Sequence, residues 1–289
     1  MSAAIPRILC LYVRHGAEQY QNALPVLDAW YESHGMLAQR TLWIIDNSLH
    51  ADAVPQVLAP SIELRAGDNT AWEFSAWAKA MRELREESSR YDIVHFVTSA
   101  FNTLYTRYLE HFRPDMLAYA LTQHACLGHI DSYDRPIELV GAKSESWIRT
   151  CFFFLPYEDA TRIAPWAAFS EPHLFFKNVD TTEFREDAPF STDYQRRIRT
   201  WLEGNEVGGH TWHSPIAPGE AERFRKKTLA IVNEHHLSIV LRRLNVPLVD
   251  YCWLHTSGDL PGAPYPEPPP ELQQLKVRRR VLGIPEALG

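Results

Sequence analysis

The sequence predicts an α/β fold with a mostly parallel sheet flanked by helices, and three observations lead to this prediction. Short apolar segments alternate with longer segments whose apolar residues recur at helical spacing, as in repeated βαβ units. Two of the apolar segments end in polar clusters, at residues 46–48 (Asp-Asn-Ser) and 67–69 (Gly-Asp-Asn). Strands of an open α/β sheet end in this way where the sheet binds a ligand. A length of 289 residues suits one large domain of this class.

The first half of the chain contains the clearest strands and helices. Strands are predicted at residues 8–13, 41–45, 61–65 and 93–97, of which the first, second and fourth are mostly apolar. Segments with apolar residues on one helical face predict helices at residues 19–33 and 71–87. Continuous apolar runs are typical of strands buried on both faces, so we expect a parallel sheet with right-handed crossovers.

The second half of the chain is less regular. Helices are predicted at residues 114–123, 191–202 and 223–245, strands at 125–130, 137–141, 146–155 and 172–179, and a loop at 204–218. We expect a domain that spans residues 1–255, followed by a tail, residues 256–289, that is Pro-rich and then basic.

Composition excludes several classes of protein. A net charge of −7 and a pI near 6.0 argue against a general nucleic-acid binder, which carries a basic surface. No apolar run approaches the ~20 residues that span a bilayer, and the N-terminus lacks the pattern of a secretory signal. The four cysteines lack the spacing of a metal site or of a disulfide framework. We therefore expect a reduced, cytoplasmic protein.

Four segments carry a family resemblance when they are read in order: residues 43–48 (WIIDNS), 65–77 (RAGDNTAWEFSAW), 91–97 (YDIVHFV) and 147–154 (WIRTCFFF). Together they resemble the GT-A glycosyltransferases, and most of all the rhamnan synthesis protein F branch, over roughly residues 7–250. The resemblance implies a GT-A-like (Rossmann-like) sheet. It also implies transfer of a sugar from a nucleotide-sugar donor to a cell-surface glycan acceptor, with peripheral association with an assembly complex.

Polar residues at the strand ends are the first candidates for ligand contacts. An aspartate there can accept from a ribose hydroxyl or a base N–H, so we expect Asp46 to contact the nucleoside. Asn47 and Asn69 would orient sugar or phosphate groups. The alternatives are local, because Asp46 could instead organise a turn and Asn69 could cap the following helix.

The general base and the cations for the diphosphate are also predicted from position. Inverting transfer needs a carboxylate that takes the proton of the acceptor hydroxyl. Asp131 follows a predicted strand and is our candidate, with a hydrogen-bonded surface turn as the alternative. Arg14, Arg65 and Arg149 are the candidates for neutralising phosphate charge.

The metal-binding corner departs from the family pattern. GT-A enzymes usually place a carboxylate after the fourth strand, where it holds a divalent cation, but residues 98–103 read Thr-Ser-Ala-Phe-Asn-Thr. We therefore expect no metal and no other cofactor. Either the enzyme works without a metal, or catalysis is lost and the chain is a partner-binding relative. In the second case Phe101 or Tyr105 would fill the crevice.

A competing motif is Arg14-His15-Gly16 at the end of the first strand. It resembles the histidine phosphatases, in which the histidine is the nucleophile and the arginine binds phosphate. That family needs a second catalytic histidine, for which His210 is the candidate, and its asparagine lies five residues past the glycine. Asn22 lies six past. We treat a phosphohydrolase as the less favoured alternative.

Aromatic and histidine residues elsewhere receive structural interpretations. We expect Trp72 and Trp77 to pack in the core and not to carry a sugar. His235 and His236, and the pair at 210 and 213, lack a third ligand at suitable spacing, so we expect no metal site there. We expect the helix around His235 to face solvent.

Overall fold

The computed structural model describes residues 5–18, 20–84, 90–104, 107–178, 180–204, 215–257, 277 and 279–283. In this part of the chain, strands form one eight-stranded sheet. The strands are β1 (Ile8–Arg14), β2 (Arg40–Asp46), β3 (Gln56–Ala59), β4 (Ile62–Ala66), β5 (Ile93–Thr98), β6 (Cys126–Leu139), β7 (Ala142–Pro156) and β8 (Leu248–Asp250). Their order across the sheet is β3-β4-β2-β1-β5-β7-β6-β8.

Helices flank this sheet in the described part of the chain. They are α1 (Ala23–Ser33), α2 (Trp72–Leu84), α3 (Phe101–Leu104), α4 (Asp115–Gln123), α5 (Tyr157–Arg162), α6 (Thr192–Glu203), α7 (Ala221–Arg243) and α8 (Tyr251–Ser257). Capping chemistry is clearest at α6, where Ser191 accepts from the N–H of Tyr194 and Gly204 ends the helix with a φ of 76°. None of the described helices is long and apolar enough to cross a membrane.

The strand directions create a switch point near the middle of the sheet. Strands β4, β2, β1 and β5 are parallel, whereas β3 and β7 run antiparallel to their neighbours. The chain adds β2 and β4 on one side of β1 and then returns to place β5 on the other side. Open α/β sheets bind ligands at the carboxyl ends of strands where the order reverses in this way.

The core is aromatic around β5 and α2. Trp77 lies edge-on to Phe96, with ring centroids 5.3 Å apart, and Phe96 stacks on Phe153 at 4.8 Å. All three side chains are inaccessible to solvent. Such ring pairs add about 0.5–1.5 kcal/mol each beyond the area they bury. This packing fixes α2 over the sheet and so fixes the loop that leads into it.

Helix α7 covers the edge of β7 that extends beyond β5. Ser238 accepts from the N–H of Ile148 at 2.9 Å, and Glu234 accepts from the N–H of Thr150 at 3.0 Å. The spacing fits because Glu234 and Ser238 lie four residues apart on the helix, a rise of ~6 Å. Ile148 and Thr150 lie two residues apart on the strand, a rise of ~6.8 Å. The helix therefore satisfies an edge that would otherwise leave backbone donors unpaired.

The predicted fold class is confirmed, and several elements need correction. The strand predicted at 172–179 is a 3-10 turn, Pro172–Leu174, followed by a single bridge from Phe176 to Phe184. Rings of the surrounding phenylalanines bury this segment, which explains its apolar sequence. The segment at 137–141 is the end of β6, and β3 was missed because its residues are exposed.

Much of the predicted tail lies outside the described residues, as do residues 205–214 of the predicted loop. Arg279 is described and is 3% exposed, and its guanidinium donates to the carbonyl of Ile130 in β6 and to Asp250 at the carboxyl end of β8. The boundary at residue 255 stays a prediction.

Candidate functional site

The carboxyl ends of four neighbouring parallel strands, β4, β2, β1 and β5, form one edge of the sheet, which we call the carboxyl edge. Arg14 of β1 lies beside Asp46 of β2, and Asp46 lies beside Ala66 of β4. Thr98 ends β5 on the other side of β1, and β7 lies antiparallel beside β5. At ~4.8 Å per strand the distance from β4 across this edge to β7 is roughly 19 Å.

Asp46 organises the loops at this edge with both of its carboxylate oxygens. Oδ1 accepts from the N–H of Gly16 (2.9 Å) and from the N–H and hydroxyl of Ser48 (2.9 and 2.7 Å). Oδ2 accepts from Nε of Arg14 at 2.7 Å. The protein's own donors therefore use most of the acceptor capacity that a nucleoside contact requires.

The charge of Asp46 orients the guanidinium of Arg14. Burial by itself would raise the pKa of Asp46, but hydrogen bonds from Ser48, Gly16 and Arg14 outweigh burial and lower the pKa below its ordinary value. The aspartate is ionised at neutral pH and holds Arg14 through Nε. Both Nη groups of Arg14 lack hydrogen-bond partners among the described residues, and this side chain is 20% exposed. These Nη groups can donate hydrogen bonds to an anion.

Asn47 and Asn69 lie together beside Arg14, as predicted from their positions after β2 and β4. Asn47 Nδ2 donates to the carbonyl of Trp72 at 3.2 Å and approaches Asn69 Oδ1 at 3.4 Å. Asn69 is 3.5 Å from Nδ1 of His15, which is exposed. These amides and the imidazole make the polar lining of the edge between β1 and β4.

Arg65 is not brought to this cluster. Its guanidinium bonds Glu63 at 2.6 Å and Glu83, near the end of α2, at 2.7 Å. It also stacks 3.4 Å from the ring centroid of Trp43. Arg65 is thus engaged along the flank of α2, where its charge is already balanced.

Asp131, the candidate base, and Arg149, a candidate phosphate ligand, bind each other in a buried network. Arg149 Nε binds Asp131, and His129 Nε2 lies 3.7 Å from the same carboxylate. His129 Nδ1 is 3.9 Å from Asp250, which is also paired with Arg279. None of these five residues is more than 8% exposed.

Electrostatics make Asp131 a poor proton acceptor. Burial alone would raise the pKa of Asp131, but Arg149, His129 and Arg279 hold it well below its usual range. Burial and the charge of Arg279 lower the pKa of His129 to about 4, although Asp131 acts in the opposite direction. The network is therefore a neutral imidazole among two carboxylates and two guanidinium groups.

A second carboxylate, Glu234 of α7, has the opposite property and was missed by the sequence prediction. It accepts from the N–H of Thr150 at 3.0 Å and lies close to Glu73 of α2 and to Lys227. Burial raises the pKa of Glu234 to about 7, and the charge of Glu73 adds to this effect. Burial also raises the pKa of Glu73, against the opposing charge of Lys227. Both side chains keep part of their surface accessible.

The helix around Glu234 does not face solvent, so that prediction is wrong. Its neighbour His235 is 6% exposed and bonds the hydroxyl of Tyr194 at 2.5 Å. Burial lowers the pKa of His236 to about 4. One feature of the sequence could have indicated this buried polar cluster. Three polar residues, Asn233-Glu234-His235, lie in the middle of a helix that is otherwise apolar on several faces.

The predicted metal corner holds no carboxylate. Thr98, Ser99 and Asn102 offer only hydroxyl and amide oxygens, which do not fit a divalent cation as sole ligands. The described residues contain no group of three or more His, Cys, Asp or Glu side chains suited to a metal. Phe101 is fully buried, with its ring 5.5 Å from that of Phe152. Tyr105 and His210 lie outside the described residues.

A groove with a volume of ≈ 350 Å³ lies elsewhere, between α2 and the segment after α5. Asp68 and Arg82 line one side, and Ile163 and Trp166 line the other. The groove contains neither Arg14 nor Glu234, so we place the chemistry at the carboxyl edge, where charged groups with altered pKa values converge.

Comparisons with known proteins add little. No family model and no curated protein matches the chain. Among solved structures, the chain is similar to 4-diphosphocytidyl-2C-methyl-D-erythritol synthase, with a TM-score of 0.36 and 14% identity over 58% of this chain and 82% of that one. A likeness this weak carries no argument, so fold and function rest on the geometry.

Proposed function

We propose that this protein is a glycosyltransferase that binds a nucleotide-sugar donor along the carboxyl edge and transfers the sugar to a glycan acceptor. One arrangement carries the proposal. Arg14, whose Nη groups have no hydrogen-bond partner among the described residues, ends β1. Glu234, a carboxylate of raised pKa, binds Thr150 of β7, two residues beyond the partner of Val97 near the carboxyl end of β5. Cation and base are the two groups that transfer from a diphosphate requires.

Arg14 would bind the diphosphate in place of a metal. Its Nη groups are available, and Asp46 keeps the guanidinium in position. Hydrogen bonds from a fixed guanidinium to phosphate oxygens are charge-assisted and therefore strong. As the sugar leaves, negative charge grows on the diphosphate, and a preorganised cation stabilises it. Asn47 and Asn69 would add donors on the same side.

Glu234 would take the role that the sequence prediction assigned to Asp131. A general base works best when its pKa is near the working pH, and the pKa of Glu234 is raised to about 7. Its carboxylate would accept the proton of the acceptor hydroxyl while that oxygen bonds to the anomeric carbon. The bond from this carbon to the diphosphate breaks, and the nucleoside diphosphate leaves with the electron pair.

Isothermal titration with UDP, GDP and dTDP and their sugars tests the proposal. We expect one nucleotide class to bind, with the free diphosphate sufficient for most of the affinity. Added Mn²⁺ should leave the affinity unchanged, since no carboxylate occupies residues 98–102. Absence of binding across the panel at millimolar ligand would reject the proposal.

A second candidate is a non-catalytic relative that binds a partner in polysaccharide assembly. Two features favour it: Asp131 is committed to Arg149, and Phe101 is buried beside the corner where a metal-binding carboxylate is usual. This candidate predicts no turnover and weak or absent nucleotide binding. The phosphohydrolase alternative stays a prediction, because His210 lies outside the described residues.

A further inference from the structure

The backbone of Trp72 adopts a conformation that tryptophan rarely takes. Trp72 is the first residue of α2, and its φ is 56°. In this left-handed region the β-carbon crowds the following carbonyl, so glycine is the residue normally found there. Strained residues persist when the surrounding structure enforces them, and they concentrate at functional sites.

Three residues enforce this conformation. Asn47 Nδ2 donates to the carbonyl of Trp72 at 3.2 Å, and the hydroxyl of Ser75 donates to the same carbonyl at 3.1 Å. Asn47 in turn lies against Gly67, where an added β-carbon would come within 1.9 Å of Asn47 Oδ1. The loops after β2 and β4 therefore both hold Trp72 in place.

The indole of Trp72 is not part of the aromatic core. It is half-buried, and among the described residues it packs on no other aromatic ring. Nζ of Lys227 lies 5.1 Å from its ring centroid. Trp77, on the same helix, is fully buried against Phe96. The prediction that both tryptophans pack in the core is correct for Trp77 only.

The position of Trp72 indicates which part of a ligand it meets. Lys227, which touches its ring, also acts on Glu73 and Glu234, the carboxylates next to the reaction. A nucleoside would lie beyond Arg14, on the other side of the diphosphate. The group that reaches the carboxylates is the sugar.

We propose that the indole of Trp72 is the surface on which the transferred sugar packs its apolar face. The inference rests on the proposed function, because it assumes that a nucleotide sugar occupies the carboxyl edge. Asn47, Ser75 and Gly67 are positioning residues that aim the ring. The strain is retained because a relaxed backbone would turn the ring away from the ligand.

Binding measurements on four variants test this role: Trp72→Ala, Trp72→Gly, Trp72→Phe and the control Trp201→Ala. Trp201 is a half-buried tryptophan on α6. Titrations with a nucleoside diphosphate and with its sugar conjugate separate the two parts of the ligand. We expect the first two variants to bind the conjugate about ten-fold more weakly and the free diphosphate within about two-fold of wild type. Trp72→Phe should recover part of the loss.

Thermal denaturation separates a loss of stability from a loss of sugar binding. Glycine adopts the left-handed conformation without the energetic cost that alanine carries, so Trp72→Gly should melt at a higher temperature than Trp72→Ala. The two variants should nevertheless bind the sugar conjugate equally poorly. Stability and sugar binding would then be separated at one position.

Two results would overturn the inference. One is that Trp72→Ala binds the conjugate as tightly as wild type does. The other is that it loses the free diphosphate to the same extent as the conjugate. If the wild-type chain binds no nucleotide, the proposed function fails, and titration of wild type and Trp72→Ala with free monosaccharides decides the role of Trp72. Absence of a saccharide effect in that titration would reject the stacking surface as well.

Discussion

Two aspartate–arginine pairs each join neighbouring strands of the same sheet, yet their surroundings give them different properties. Asp46 and Arg14 are the last residues of β2 and β1, and the buried aspartate is held by N–H and hydroxyl groups while the guanidinium stays 20% exposed. Asp131 and Arg149 lie between β6 and β7 in a network with His129, and both side chains are almost fully buried.

The comparison distinguishes the positive charge of Arg14, which is accessible to a ligand, from the negative charge of Asp131, which neighbouring cations neutralise. Arg14 keeps donors for a ligand because Asp46 uses only its Nε. Asp131 faces more than one positive group in a medium that screens them poorly, so its proton affinity is too low for a base. Burial outweighs the charges of Lys227 and Arg149 at Glu234 and leaves this carboxylate with a pKa of about 7, which suits a base.

The largest expected effect is on catalysis. Replacing Glu234 by Gln preserves an acceptor for the N–H of Thr150 but removes the base, so kcat should fall about 10²–10⁴-fold with nucleotide binding unchanged. Initial rates of sugar transfer measure this. The matched control is Glu222→Gln on the same helix, where an exposed carboxylate pairs with Lys226. Equal rates for both variants would rule out Glu234 as the base.

The next effect is on stability and contrasts the two aspartates directly. Asp131→Asn leaves Arg149 with a buried, uncompensated charge and should lower the free energy of unfolding by about 3–5 kcal/mol. Asp46→Asn removes charge-assisted hydrogen bonds but leaves a partner, Arg14, that is more exposed than Arg149, so it should lower the free energy of unfolding by about 1.5–3 kcal/mol. Denaturant titrations of both variants compare the two sites.

A double variant sharpens this stability test. Asp131→Leu combined with Arg149→Met removes both charges, and such replacements of buried pairs are often neutral. It should therefore recover much of the loss seen in Asp131→Asn. If Asp46→Asn lowered the free energy of unfolding more than Asp131→Asn does, this ranking of the two sites would be wrong.

A smaller effect concerns the diphosphate. Arg14→Ala should weaken binding of a nucleoside diphosphate by about 1.5–3 kcal/mol, the contribution of charged hydrogen bonds. Arg7→Ala is the control, since Arg7 pairs with Asp92 just before the opposite end of β1. Isothermal titration should find the control unchanged. Activity that depends on Mn²⁺ and survives Arg14→Ala would contradict both the assignment and the metal-independent mechanism.

The smallest effect is on the pH dependence of stability. The pKa of Glu234 rises from 4.5 to about 7 on folding, so the folded state binds this proton more tightly than the unfolded state. The stability that this protonation contributes is fully present below the unfolded pKa and is lost as pH rises through 7. Glu234→Gln should therefore be more stable than wild type at pH 8 by on the order of 1–3 kcal/mol, and no more stable near pH 4. Thermal melting curves of Glu234→Gln and wild type, recorded from pH 4 to pH 8, test this prediction.

The sequence by itself determined the parallel half of the sheet and the polar residues at its edge. Strands β1, β2 and β5 are mostly apolar runs and β4 alternates apolar and charged residues, and these local patterns are enough to place Asp46, Asn47 and Asn69 at carboxyl ends. The same periodicity gave the helices on either side. A pattern of this kind depends only on residues close together in the chain.

Tertiary structure decided which of these residues carry usable charge. Arg65 and Asp131 were chosen for their positions, but Glu83 and Arg149, 18 residues away in each case, engage them. Glu234 gains its raised pKa from burial and from the charge of Glu73, which together outweigh the hydrogen bond from Thr150, 84 residues distant. Burial and long-range charge pairs arise only after distant segments pack together, so local sequence patterns do not record them.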